Sequence, residues 1–333
     1  MKSNTFQAKL LSRFSLPMKI GVLMGGFSSE REISIRSGKA VFKALTDKGF
    51  RACPVEISSH DFCEAIKPGA FDFAFITLHG AGGEDGFVQS FLEKHHIPYL
   101  GSGPEASARA FNKITAKRIF ERAGIPTPAF EVLEGENWKE KAEKLVYPVF
   151  IKPADEGSSI DVFCCQDPGE LKKSMNGLIE KYGMVLAERK ITGRELTVGI
   201  VGTRALPVVE IKPKRGFYDY QAKYDKTRGT EYVVPAVIPD AEAKRVQEIA
   251  LAVHRALGLR DFSRVDLMLG DEGPYVLEAN TIPGFTETSL LPKAASAIGM
   301  NFQDLCAELV RIGWERNQDE AKTQSQNEKV FSS

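Results

Sequence analysis

A strand-forming run, KIGVLM over Lys19 to Met24, stops at two consecutive glycines, Gly25 and Gly26, and a helical segment follows at once. Short β-rich runs alternating with longer segments of helical period recur along the chain, which restricts the fold to an α/β class with substantially parallel sheets. The first helix carries a Ser29-x-x-Glu32 capping box and a stop at Gly49. Ala52 to Ile57, Phe71 to Leu78 and Ile97 to Leu100 read as strands of the same unit, which closes near Gly103. A helix from Pro104 to Ala123 then stops at Gly124, and Ile125-Pro126-Thr127-Pro128 enforces an extended connection. Val149 to Lys152, Val162 to Cys165 and Val185 to Arg189 are strands of a second unit. Thr197 to Val201, Pro207 to Ile211, Ser263 to Leu269 and Tyr275 to Asn280 belong to a third. The expected division is an extension over 1–17, units over 18–102, 103–188 and 189–315, and a tail over 316–333. The tail expectation follows from its polar composition, which cannot repay the entropy of ordering.

Lys plus Arg and Asp plus Glu both number 44, so no global field draws in nucleic acid or an anionic membrane, and any anion site must be local. No run approaches the roughly 18 apolar residues that span a bilayer. The five cysteines, Cys53, Cys63, Cys164, Cys165 and Cys306, show no CxxC spacing and suit reduced thiols in a cytoplasm.

Two stretches carry chemistry. Phe150-Ile151-Lys152 leaves a strand for the small-residue loop Pro153 to Ser159, in which backbone N–H groups can surround phosphate oxygens and the lysine adds a point charge. The same loop read alone is also an ordinary turn. It is no Walker A motif, and Gly25-Gly26 is no dinucleotide fingerprint, because neither spacing is present. The second stretch is Ser263 to Leu269, a Gly270-Asp271-Glu272-Gly273 turn, and Tyr275 to Asn280. Folding it about Glu272 sets Asp266 opposite Glu278, with Asn280 on the same face. Oxygen ligands of this kind suit Mg²⁺, which takes one or two carboxylates and leaves its other positions to water and phosphate, or Mn²⁺ in its place. A solvated polar face of a half-exposed hairpin is the competing reading. The turn Thr281 to Ser289 that follows could offer backbone donors.

With these pieces in order the chain resembles the ATP-grasp enzymes and, among them, the D-alanine–D-alanine ligase family. The markers are GGFSSEREISIRSG (Gly25 to Gly38), HGAGGEDG (His79 to Gly86), IPYLGSG (Ile97 to Gly103), IKPADEGSS (Ile151 to Ser159), FYDYQAKY (Phe217 to Tyr224), SRVDLML (Ser263 to Leu269) and LEANTIPGFTETSLLP (Leu277 to Pro292). The resemblance implies three α/β domains, an N-terminal substrate-binding domain and central and C-terminal ATP-grasp domains that clasp ATP between their sheets. Lys113 and Lys152 would hold phosphates beside Ser158, and adenine would meet Glu188, Lys190 and Ile191. Glu195 would reach the ribose, and Phe150, Met268 and Leu277 would wall the base. Two Mg²⁺ ions, or Mn²⁺, would sit on Asp266, Glu278 and Asn280. Arg264 and the Gly284 N–H would stabilise the reacting acyl centre. Glu30 would pair with the ammonium of the first D-alanine, oriented by Ser159, which would also orient Tyr224. His79 would lie near that substrate's carboxylate, Lys223 would reach the transferred phosphate from a lid over 214–228, and Ser289 would bind the second substrate.

The implied activity is ATP-dependent joining of two D-alanines through a D-alanyl phosphate, for peptidoglycan precursor synthesis. A different second substrate, such as D-lactate, or a nucleotide-binding regulatory protein on this scaffold, are the alternatives. Tyr224 favours an amine over D-lactate. The family is often dimeric, and no segment of this sequence marks an interface. Two positions depart from the family pattern: Asn112 stands where Asp is usual, and Asp161 stands where Gly is usual, adding negative charge near the phosphate loop.

Overall fold

Among the described residues three sheets organise the chain, and of these only the first is parallel. The computed structural model describes residues 18–67, 69–136, 138–158, 160–213 and 229–331. In the first sheet β1 (Lys19–Gly25) lies between β2 (Arg51–Ile57) and β3 (Phe73–Ile76), and β4 (Tyr99–Leu100) extends it beyond β3. Parallel pairing requires crossovers, and helix α1 (Arg31–Asp47) supplies the one from β1 to β2. Both glycines that end β1 have positive φ, 93° and 90°, a backbone state that costs glycine little.

The second sheet has the order β5-β8-β6-β7, with strands Phe130–Glu134, Met184–Arg189, Val149–Pro153 and Phe163–Cys165. The third runs β12 (Glu231–Val233), β11 (Val209–Lys212), β9 (Arg194–Val201), β13 (Phe262–Gly270) and β14 (Gly273–Asn280), with β10 (Arg204–Ala205) beside β9. Both are antiparallel, which corrects the expectation of substantially parallel sheets. Alternating strand and helix signals do not reveal that β9 and β10, or β13 and β14, are joined by turns too short for a crossover.

Three local expectations change as well. Helix α1 begins at Arg31, and its N-cap Glu30 makes no side-chain cap bond. Ser28, not Ser29, is engaged at this end: its hydroxyl donates to the His79 carbonyl at 2.6 Å and accepts from the Glu30 N–H at 3.2 Å. The helix expected over Pro104 to Ala123 is two, Pro104–Phe111 and α5 (Lys113–Arg122), broken where Asn112 turns extended. Asn112 caps α5 by accepting from the Thr115 N–H, and its amide donates to Asp155 Oδ1 at 2.6 Å. An aspartate could make the cap but would face the Asp155 carboxylate with like charge.

The expected tail is the third correction. The last helix runs from Phe302 to Phe331 without a break at residue 316. Arg316 places its guanidinium on Asp261, at 2.8 and 2.9 Å, and on the Tyr99 carbonyl at 2.8 Å. Composition alone misses this because one cation with a buried partner anchors the polar second half of a helix whose first half lies in the core. The Asp261 side chain is only 2% exposed, so removing its partner strands a buried carboxylate. Arg316→Ala is therefore expected to destabilise the fold by about 3 kcal/mol, read from the midpoint of urea unfolding; an unchanged midpoint contradicts the anchoring role.

The first sheet and the third share one apolar core, in which Ile20, Phe73 and Phe75 join Phe262, Leu291 and Leu305. Phe285 sits between the rings of Phe75, Phe262 and Phe302, with centroids 5.7, 6.0 and 5.6 Å away. Burying that ring stabilises the fold by roughly 2 kcal/mol and fixes the loop after β14, whose neighbouring residues reach the cavity described next.

Candidate active site

Two cavities meet at a shared wall formed by Lys113, the 156–158 loop and Glu278. One lies between the first and third sheets and is lined by Glu30, His79, Glu84, Arg264, Gly284 and Ser289. The other lies between the second and third sheets. Its apolar walls include Phe150, Ile191, Met268 and Leu277, and its polar groups include Lys152, Glu188, Glu195 and Asp266. Lys190 lines neither; its backbone N–H is held by the Pro148 carbonyl at 2.9 Å. Ser159, Lys223 and Tyr224 lie outside the described residues.

The hairpin of β13 and β14 pairs Asp266 with Glu278 and Arg264 with Asn280, as its alternation predicts. Nearer the turn the register shifts by one, because Leu267 pairs with Val276 and leaves Leu277 as an extra residue. Strict alternation would send Leu277 and Glu278 to opposite faces. The bulge instead lets both line the same cavity, one as an apolar wall and the other as a carboxylate.

Asp266 accepts four hydrogen bonds from three side chains. Arg264 donates from Nε to Oδ1 at 2.9 Å and from an η nitrogen to Oδ2 at 2.7 Å. Thr197 donates to Oδ1 at 2.6 Å, and the Asn280 amide nitrogen donates to Oδ2 at 3.1 Å. That last bond leaves the amide oxygen of Asn280 as the atom a cation would use. Among the described residues no cluster of three His, Cys, Asp or Glu side chains forms a metal site. Two carboxylates and one amide oxygen nevertheless fit the chemistry of Mg²⁺ or Mn²⁺, which need few protein ligands when phosphates supply the rest.

On the other side of the shared wall, Glu30 is buried and accepts a hydrogen bond from the Ser158 hydroxyl. Ser158 thus contacts Glu30 directly, while Ser159, expected to orient the same carboxylate, lies outside the described residues. Gly157 permits the approach, since a Cβ there would stand 2.7 Å from Glu30 Oε2. His79 is buried with Nε2 3.2 Å from the Ser37 hydroxyl, and that burial, with a smaller effect of Arg264, pushes its pKa down to about 4. A neutral imidazole results, able to hydrogen-bond a substrate but not to pair with it as a cation. Ser37 also accepts from the Phe285 N–H at 3.2 Å, tying this imidazole to the Gly284 loop. Ser289 Oγ accepts from the Thr286 N–H at 3.0 Å.

Glu84 belongs to the site and was not singled out from the sequence. Its carboxylate accepts from the Gly80 N–H at 2.8 Å, and burial, followed by the charge of Glu30, raises its pKa to about 8. Its place inside HGAGGEDG was the available signal. Lys113 opens α5, donates to the Glu156 carbonyl and stands 3.8 Å from Glu278 Oε2. Lys152 lies 2.9 Å from Glu188 Oε1, and the other oxygen of Glu188 is paired with Lys117, a second residue the sequence reading passed over. Burial alone would raise the Glu188 pKa, but Lys117 and Lys152 outweigh it and hold the carboxyl below its usual range. Asp161 adopts a left-handed φ of 54°, the state its usual glycine favours. Its carboxylate is spoken for by Lys181 at 2.7 Å and Tyr182 at 2.6 Å, so the extra charge expected beside the phosphate loop is locally compensated.

Comparison with known proteins agrees with this arrangement. Residues 119–311 match the family model described as D-ala D-ala ligase C-terminus. A D-alanine–D-alanine ligase of Methylacidiphilum infernorum is 44% identical over 91% of this chain and 97% of its own length. The structure of the Bacillus anthracis D-alanine–D-alanine ligase complexed with ATP is 33% identical, with a TM-score of 0.81 over 91% of this chain and 99% of that one. A D-Ala:D-Ser ligase of Enterococcus faecalis, 30% identical, gives a TM-score of 0.78 over 89% and 99%. The architecture is accordingly the ATP-grasp fold. With identity of this order sustained across nearly the full length of its relatives, the chain belongs to the D-alanine–D-alanine ligase family.

Proposed function

We propose that this enzyme joins two D-alanine molecules at the expense of ATP, releasing ADP and phosphate, and so supplies a peptidoglycan precursor in the cytoplasm. The observation that carries the reading is the complementarity of the two cavities. Glu30 offers negative charge to an ammonium beside a Glu84 whose raised pKa leaves it mostly protonated at neutral pH, Arg264 and Ser289 offer donors to carboxylate oxygens, and the adjoining apolar slot carries lysines suited to phosphates. The five cysteines are free thiols, which accords with a reducing compartment, and no described helix is long and apolar enough to cross a membrane.

A carboxylate is a poor acyl donor because oxide would have to leave. Transfer of the γ-phosphoryl to a carboxylate oxygen of the first D-alanine gives an acyl phosphate and ADP. The neutral amine of the second D-alanine then attacks that carbonyl, the amine gives up a proton, and inorganic phosphate departs as the peptide bond forms. Glu30 would hold the ammonium of the first substrate, with Ser158 fixing its carboxylate. Neutral His79 would hydrogen-bond the substrate carboxylate before phosphorylation. Arg264, aimed by Asp266, and the Gly284 N–H would face the oxygen on which charge develops. Lys113 and Lys152 would bind phosphates, while Phe150, Ile191, Met268 and Leu277 would enclose the base and Glu195 the ribose. Asp266, Glu278 and the Asn280 amide oxygen would hold Mg²⁺ or Mn²⁺, which when bound neutralises phosphate charge. Tyr224 and Lys223 would complete the site from the 214–228 segment.

Phosphate release measured with D-alanine, L-alanine and D-lactate in parallel, with products identified by mass spectrometry, tests the reading. D-Alanine-dependent release with D-alanyl-D-alanine as product is expected. A mixed product would favour a different second substrate, as the similarity to a D-Ala:D-Ser ligase allows. Nucleotide binding without such release would favour a regulatory protein.

A further inference from the structure

Lys117 lines neither cavity, yet it is 1% exposed, an unusual state for a lysine unless it is paired. It lies one helical turn beyond Lys113 on α5, beneath the floor of the nucleotide slot. Its ammonium pairs with Glu188 Oε2 and donates to Thr127 Oγ1 at 2.7 Å. Thr127 passes the connection on, donating to the Val276 carbonyl at 2.8 Å. Glu188 ends a strand of the second sheet and Val276 belongs to β14 of the third, so one buried cation joins both walls of the slot.

Glu188 has a second cation on its other oxygen, Lys152 at 2.9 Å. The two lysines differ in access. The Lys152 side chain is 13% exposed and lines the slot, whereas Lys117 has no route into it. With only one lysine present, drawing it toward phosphate would strand a carboxylate that is 2% exposed, a costly state. With both, one can depart. Burial lowers the Lys117 pKa to about 8 against the opposing pull of Glu188, which still leaves the group mostly charged at neutral pH.

We propose that Lys117 is a positioning residue for nucleotide binding: it is the permanent counter-ion of Glu188, so that Lys152 can leave that carboxylate for the phosphates of an incoming nucleoside triphosphate. The inference rests on the nucleotide reading of this slot. The test compares the full chain with K117M by calorimetric titration with MgADP and by steady-state kinetics. The Kd for MgADP and the KM for ATP should both rise at least about tenfold, with kcat at saturating ATP and the KM for D-alanine within about threefold. Adding E188Q to K117M should return the Kd to within about twofold of E188Q alone, because no carboxylate then retains Lys152. A merely structural lysine would not show that recovery. An unchanged Kd in K117M, or an equal loss in the E188Q background, overturns the proposal. Should K117M not fold, K117Q removes the charge while its neutral amide can keep the bond to Thr127. A rise of at least about tenfold in its MgADP Kd supports the proposal, and an unchanged value overturns it. A wild-type chain that neither binds MgADP nor releases phosphate with D-alanine refutes the ligase reading itself and this inference with it.

Discussion

Replacing Arg264 by alanine should lower kcat by roughly 10²- to 10³-fold while leaving MgADP binding within about twofold. The guanidinium faces the substrate cavity and is 14% exposed, aimed by two bonds to Asp266. It is therefore already oriented toward this cavity, and on the proposed mechanism little reorganisation would be needed as charge develops on the acyl oxygen. Thr197 and Asn280 continue to hold Asp266 after the truncation, so the opposite face of the hairpin should survive. Arg264→Lys separates charge from shape: it keeps the cation but loses the fork that grips both carboxylate oxygens, and only partial recovery is expected. Wild-type turnover in the alanine variant would remove Arg264 from the mechanism.

Glu278→Gln should raise the Mg²⁺ concentration for half-maximal activity at least about tenfold. The carboxylate stands on the shared wall, across from Asp266 and 3.8 Å from Lys113. Its loss would take one negative charge from the proposed ligand set of the cation and would also remove a restraint on Lys113. Titrating Mg²⁺ at fixed ATP distinguishes the two effects, since a lysine displaced from its place would raise the KM for ATP even at saturating metal. An unaltered Mg²⁺ requirement would mean that the hairpin carboxylates serve the fold alone.

Much of this site was legible because hairpin alternation is a short-range rule. Asp266, Glu278 and Asn280 could be set on one face from their spacing, and Asp266 does face Glu278, although the extra residue at Leu277 is what restores that facing above a turn that pairs Gly270 with Gly273. The family motifs located Arg264, Glu30 and His79, which do share one cavity. What escaped depends on distance in sequence. Lys117, on a helix, has meaning only through Glu188, on a strand 71 residues further along, and Arg316 only through Asp261. Polar composition counts such residues as solvated because it cannot see a buried partner. The Ser29 capping box failed for a related reason: tertiary bonds through Ser28 to the His79 carbonyl override a local cap.

The extra residue at Leu277 brings two consecutive side chains, one hydrocarbon and one carboxylate, into the same cavity, and on the proposed reading the first would meet a flat ring and the second a cation. Deleting that residue would restore a regular ladder and oblige the protein to forfeit one or the other. A relative with one residue fewer in this ribbon would therefore differ in chemistry rather than in loop length, and an alignment gap placed there is a statement about what the enzyme can hold.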